Sequence, residues 1–213
     1  MKFGKQLCLG LSALALTAAA QASTVFSEGF DDLAATGWIM TNQSTPAGGV
    51  PWFQGGSAGF SAQAGGATSY AEANYFSALN GTGSIDNWLI SPEIALGGAS
   101  TLTFYARTET TTDFQDSFNV LFSSGSGTAT SGFTAVLSSV VATTGGWTQY
   151  SVVLPSAATG RIAFEYLVGN ADNANVIGID TVSVSAVPEP SSYALMGLGL
   201  AGVALLRRRR KED

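Results

Sequence analysis

The residues best suited to chemistry are carboxylates at the two ends of the central region. Glu28, Asp31 and Asp32 lie near its start and Asp180 near its end. Calcium takes six to eight oxygens from carboxylates, carbonyls and water, so Glu28, Asp31 and Asp180 form a candidate structural Ca2+ site. Asp180 is surrounded in sequence by Ile177, Ile179 and Val182. Turned inward, it needs a partner: an ion, Arg107, Arg161 or backbone amides. The alternative is that Asp31 and Asp32 are solvated turn residues and that Asp180 caps a turn. Asp113 and Asp116 form a second, weaker cation candidate, more simply read as loop residues. Paired carboxylates can also hydrolyse glycosides. Asp86 with Glu93, or Glu109 with Asp113, are pairs only in the sense that any two acids are, and the E-x-D-x-x-E strand motif of some jelly-roll glycosidases is absent. The chain has no histidine, and its single cysteine, Cys8, sits in the N-terminal apolar run. Ser-His-Asp and Cys-His nucleophile systems and ordinary zinc sites are therefore excluded from the central region.

The elements that would position these acids read as strands. In Thr101–Thr108, Leu102, Phe104 and Ala106 share one face; in Ser117–Ser124, Phe118, Val120 and Phe122 do; in Arg161–Gly169, Ile162, Phe164, Tyr166 and Val168 do. Period-two alternation bounded by Gly, Asn, Asp and Ser marks strands of a sandwich or barrel, and one apolar face per strand suits antiparallel sheets packed face to face. Nine to eleven short strands are expected, with Val176–Val187 the last. Asp86 and Asn87 suit the turn entering a strand, Pro92 the point where it leaves the sheet, and Trp147 a large core plug opening the next strand. Ala47–Thr68 is rich in Gly, Ala and Ser and reads as a long irregular loop. Its aromatics either cover one end of the sandwich or form a ligand platform, with Trp52 and Phe53 the candidate polysaccharide-binding pair.

Both ends of the chain read as processing segments. Residues 1–22 carry Lys2 and Lys5, an apolar run and "AQA" ending at Ala22, the layout of a helical secretory signal cleaved after Ala22. Residues 188–213 contain a fourteen-residue apolar stretch, Tyr193–Leu206, before Arg207, Arg208, Arg209, Arg210 and Lys211. As a helix that stretch spans about 21 Å, short of a hydrocarbon core of about 30 Å, and the cations keep it cytoplasmic-side. Removing both ends leaves residues 23–187, one domain's worth, with two cations against twelve acids, a net charge of −10. Such a surface disfavours nucleic acid.

Val187, Pro188, Glu189 and Pro190, followed by the apolar stretch and the arginines, closely resemble the PEP-CTERM sorting signal. The resemblance implies an exosortase that recognises the signal and removes the tail, with export machinery upstream and transient inner-membrane insertion before release. The body, in turn, resembles the choice-of-anchor J domain, related to cleaved-adhesin and MAM-type jelly rolls, through the ordered series "FSEGFDD", "GW", "DNWLISP", "TLTFYA", "FNVLFSSG", "GGWTQYSVVLP", "GRIAFEYLVGN" and "IGIDTVSVS". That likeness implies an all-β jelly-roll β-sandwich of two antiparallel sheets, with terminal strands side by side. An acid near the start and an Asp near the end match the group's pattern at Glu28 and Asp180. Together these point to an exported, non-enzymatic protein of the cell surface or extracellular matrix of a Gram-negative bacterium, adhesive or polysaccharide-associated. The alternative is a carbohydrate-active enzyme on a jelly-roll scaffold using paired carboxylates.

Overall fold

The computed structural model describes residues 22–56, 59–109, 114, 116–187 and 196–203. Two compact units result, one of them Ala22–Pro188. Its strands are β1 (Ser23–Glu28), β2 (Ile39–Asn42), β3 (Phe53–Gln54), β4 (Ala71–Asn74), β5 (Ile85–Ile90), β6 (Ile94–Thr108), β7 (Ser117–Ser124), β8 (Ala135–Val141), β9 (Thr148–Val168) and β10 (Val176–Ala186). They join in one antiparallel sheet that curls back over itself.

Two long strands make the curl. The first half of β9 pairs with β6, from Ala106↔Thr148 to Ile94↔Gly160; its second half pairs with β5 on one side and β7 on the other. The change of partner falls at Gly160, where a Cβ would lie 2.3 Å from the Phe122 ring, so only glycine lets the two strands approach there. β10 runs beside β6, and its other side is shared by β4 at Val176–Ile179 and by β1 at Val182–Ala186. The terminal strands therefore lie side by side, with Glu28 opposite Val182.

Alternation places the apolar sets between the two halves. Leu102, Phe104, Ala106, Phe118, Val120, Phe122, Ile162, Phe164, Tyr166 and Val168 all enter the main core. Phe164 is its hub, with ring centroids 4.9 Å from Phe104, 6.1 Å from Phe118 and 6.2 Å from Trp38. Burying each such side chain is worth about 1.5–3 kcal/mol, and Phe164→Ala would cost about 3–5 kcal/mol. Pro92 lies between β5 and β6, where the missing donor breaks no ladder bond.

Three positions differ from expectation. Asn87 is inside β5, fully buried, with its amide N–H donating to Ser77 Oγ at 2.8 Å. Trp147 precedes β9 but is only half-buried, packing edge-on against Phe60 and Tyr70 in a separate cluster. Glycine at 178 makes room for it: a Cβ there would lie 2.8 Å from Phe60 and 2.9 Å from Trp147. The Ala47–Thr68 loop contains β3, which pairs with β4.

Residues 196–203 are helical. No described helix is long and apolar enough to cross a membrane. The signal helix, Pro188, Glu189, Pro190 and Arg207–Arg210 lie outside the described residues. Ala22 is exposed just before β1, and the Val187 amide donates to the Ala99 carbonyl at 2.9 Å, so the body is tied down to its last residue.

Candidate functional site

Neighbouring residues Trp52 and Phe53 point opposite ways, as a strand requires. Trp52 is 1% exposed, packs edge-on against Tyr166 and donates its indole N–H to the Asn87 carbonyl at 3.0 Å. This corrects the expectation for Trp52: its ring is a core plug with no face left for a ligand. Phe53 is half-buried and lines an open cleft of about 430 Å³ with Asp31, Asp32, Leu33, Ala34, Met40 and Gln54.

The cleft is built by the turn after β1. Glu28 Oε1 accepts the Phe30 N–H at 2.7 Å, and Phe30 takes φ +52, which turns Asp31 and Asp32 outward while Phe30 and Leu33 enter the core. Gln54 fixes the turn from the opposite side. Its Oε1 accepts the Leu33 N–H at 2.7 Å, and its Nε2 donates to the Phe30 carbonyl at 2.8 Å and to the Thr68 carbonyl. With both ends of its amide engaged, Gln54 is a positioning residue. Ser69 donates to Asp31 Oδ1 at 2.6 Å, holding that carboxylate at the rim. The result is an apolar floor with one aromatic wall and a carboxylate edge.

Asp180 is fully buried, and its partners are donors. Oδ2 accepts the N–H groups of Gln63 at 2.7 Å and Ala64 at 3.1 Å; Oδ1 accepts the N–H of Thr181, which has φ +49, at 2.5 Å. Burial raises its pKa, and these bonds partly offset the rise. Its surroundings are those of an anion held by amides, whereas calcium needs converging oxygens. Among the described residues no three His, Cys, Asp or Glu side chains gather around a common point. Glu28, Asp31 and Asp180 thus hold three parts of one region, the turn, the rim and the 61–69 loop, and do not assemble into the donor set the sequence suggested.

The other described acids have partners that local spacing does not show. Asp116 is fully buried and accepts from Thr108 Oγ1 at 2.5 Å, from the Asn175 N–H at 2.9 Å and from the Tyr166 hydroxyl. Burial raises its pKa and pushes that of Tyr166 well up. Asp113 lies outside the described residues. Asp86 accepts the Trp88 indole N–H, and its acidic neighbour is Glu165 across the sheet, not Glu93. Glu165 accepts from Asn119 Nδ2 at 2.7 Å; burial raises its pKa, and the charge of Asp86 adds to the rise. Glu109 accepts from Asn175 Nδ2 at 2.7 Å. Local spacing could not reveal the Asp86–Glu165 proximity, because it depends on the register between β5 and β9.

The model of the Cleaved Adhesin Domain family matches residues 23–184, and that of the PEP-CTERM protein-sorting motif matches residues 186–210. No match was found among curated proteins. Among solved structures, the K3 cleaved adhesin domain of Lys-gingipain from Porphyromonas gingivalis W83 has 24% identity and a TM-score of 0.61, spanning 78% of this chain and 100% of that one. The K1 domain of the same protein has 22% identity and a TM-score of 0.61, spanning 78% and 99%. At these identities the likeness is one of fold.

Proposed function

This chain belongs to the Cleaved Adhesin Domain family, and from that premise we propose that it is a non-catalytic adhesive module of the cell surface or extracellular matrix. The observation that carries this reading is the direct succession of the adhesin domain, ending at residue 184, and the sorting motif, beginning at residue 186. In this reading residues 1–22 are removed on export, residues 23–187 form the jelly-roll working body, and residues 188–213 hold the chain at the inner membrane until an exosortase cuts it. Fractionation of an expressing Gram-negative host, with mass spectrometry of the recovered termini, tests this. Extracellular material beginning at Ser23 and lacking Arg207–Arg210 is expected; an intact arginine tail on it would overturn the assignment.

The binding surface we assign is the cleft at Phe53. An aromatic wall beside carboxylates suits a polysaccharide: sugar C–H faces pack on the ring, and hydroxyls donate to Asp31 and Asp32. The body's net charge of −10 favours neutral over anionic polymer.

A further inference from the structure

The body is strongly acidic, yet every one of the 44 residues Ser117–Gly160 is uncharged. That stretch contains β7, β8 and the first half of β9, and so two sheet edges that are free among the described residues: there β8 pairs only with β7, and the first half of β9 only with β6. Free edges are usually blunted by charge, proline, bulges or brevity. The other edges show such devices. β1 carries Glu28 and a register shift, β8 has a register shift opposite Val120 and Leu121, and β2 and β3 have four and two residues. Thr148–Leu154 has none: its register with β6 is unbroken from Ala106↔Thr148 to Ser100↔Leu154, and proline enters only at Pro155.

We infer that Thr148–Leu154 is a self-docking edge, through which a second copy of this chain pairs antiparallel and continues the sheet across a two-fold axis. Charge selects the occupant. Two bodies of this acidity repel each other over most of their surface, and the uncharged stretch is where they can approach. The side chains are also self-complementary. With Ser151 on the axis, Tyr150 of each copy meets Val152 of the other on the core side, and Gln149 meets Val153 on the outer side. Tyr150 already stacks on Phe104 at 5.5 Å, and both Tyr150 and Val152 are half-buried at the rim of the core. Aromatic against β-branched residues is a favourable cross-strand pair, and Val153, 73% exposed, would be covered. A seven-residue pairing buries less than the roughly 800 Å² per partner of a stable complex, so the association is weak between two molecules and effective where copies are crowded.

The test uses protein recovered from the exported fraction, which in this reading has lost Cys8, the chain's single cysteine, with residues 1–22. Sedimentation over a range from micromolar to near-millimolar should show the average mass rising toward a dimer. Ser151→Lys puts two cations face to face on the axis and should weaken association by about tenfold or more, equivalent to about 1.4 kcal/mol, with circular dichroism and melting temperature unchanged. Val153→Lys should act the same way. Ser151→Cys should crosslink to itself on mild oxidation, whereas Ser27→Cys on β1 should not. A wild-type monomer at every concentration, association untouched by both lysines, or equal crosslinking at positions 27 and 151 would overturn the inference. Association that appears only with added polysaccharide and survives Ser151→Lys would give the contact to another occupant, and would overturn it too.

Discussion

Replacing Asp180 by alanine removes the acceptor shared by the N–H groups of Gln63, Ala64 and Thr181. Gln63 is half-buried and Ala64 exposed, so water recovers part of what those two amides lose. The Thr181 amide sits in a left-handed residue that its neighbour's carboxylate holds in place. Hydrogen bonds to a charged acceptor are worth about 1.5–3 kcal/mol each, and relief of the buried charge offsets some of that loss. The net cost is about 2–4 kcal/mol, a fall of about 5–15 °C in melting temperature for a body of this size. Thermal unfolding gives the total; hydrogen exchange locates it. Amides of residues 61–69 should lose protection in Asp180→Ala while those of Phe104 and Phe164 keep theirs. Asp180→Asn, which retains one acceptor oxygen, should fall between. A chelator should leave wild type and variant unchanged. A melting temperature within about 2 °C of wild type and an unaltered loop would refute the amide account. So would a chelator that brings wild type down to the variant, since an ion bound only by the folded state stabilises it by mass action.

Phe53→Ala should reduce retention on neutral polysaccharide by about tenfold without lowering the melting temperature, and Asp31→Asn should reduce it less; Trp52→Ala should instead destabilise by about 3–5 kcal/mol, which calorimetry distinguishes from a binding defect. Asp116, Asp180 and Glu165 all have raised pKa values in the folded body. Their protonated forms are thus favoured by folding, a stabilisation that is full below the unfolded value of about 4 and lost as pH rises through the folded values. The melting temperature should therefore climb as pH falls from 7 toward about 5, and Asp116→Asn should flatten that slope; a monotonic loss of stability over the same range would contradict it. Gly178→Ala drives a methyl group to 2.8 Å from Phe60 and 2.9 Å from Trp147. It should cost about 1–3 kcal/mol and shift the tryptophan emission, whereas Gly145→Ala, which meets nothing within 4 Å, should do neither.

The strands were legible because each carries its own signal. Leu102, Phe104 and Ala106, or Ile162, Phe164 and Tyr166, declare their common face without reference to any partner. The sorting motif at residues 186–210 was legible for the same reason, being contiguous. The cleft was half legible: Phe53 and Asp31 were both singled out, for different chemistry, and nothing local said that they line one surface. Trp52 and Phe53 could not be told apart, since which of two adjacent residues faces inward depends on a two-residue strand invisible within a Gly-rich segment. Asp180 was read as needing a partner, and backbone amides were among the options. That they come from Gln63 and Ala64, more than a hundred positions away, is a matter of how the 61–69 loop closes over β10. Asp116 does lie in the loop before β7, as its sequence suggests; its burial was not legible because its partners, Tyr166 and Asn175, sit 50 and 59 positions away.

β1 starts opposite the last residues of β10, with Ser23 across from Ala186, and runs away from them to Glu28 and the Phe53 cleft. Six extended residues carry the chain about 20 Å. A body gripped at its C-terminal exit therefore holds the cleft about one strand length, roughly 20 Å, from the grip. Tension between a captured polymer and that grip would run lengthwise down β10, loading its rungs to β6 and β1 together instead of peeling them one at a time.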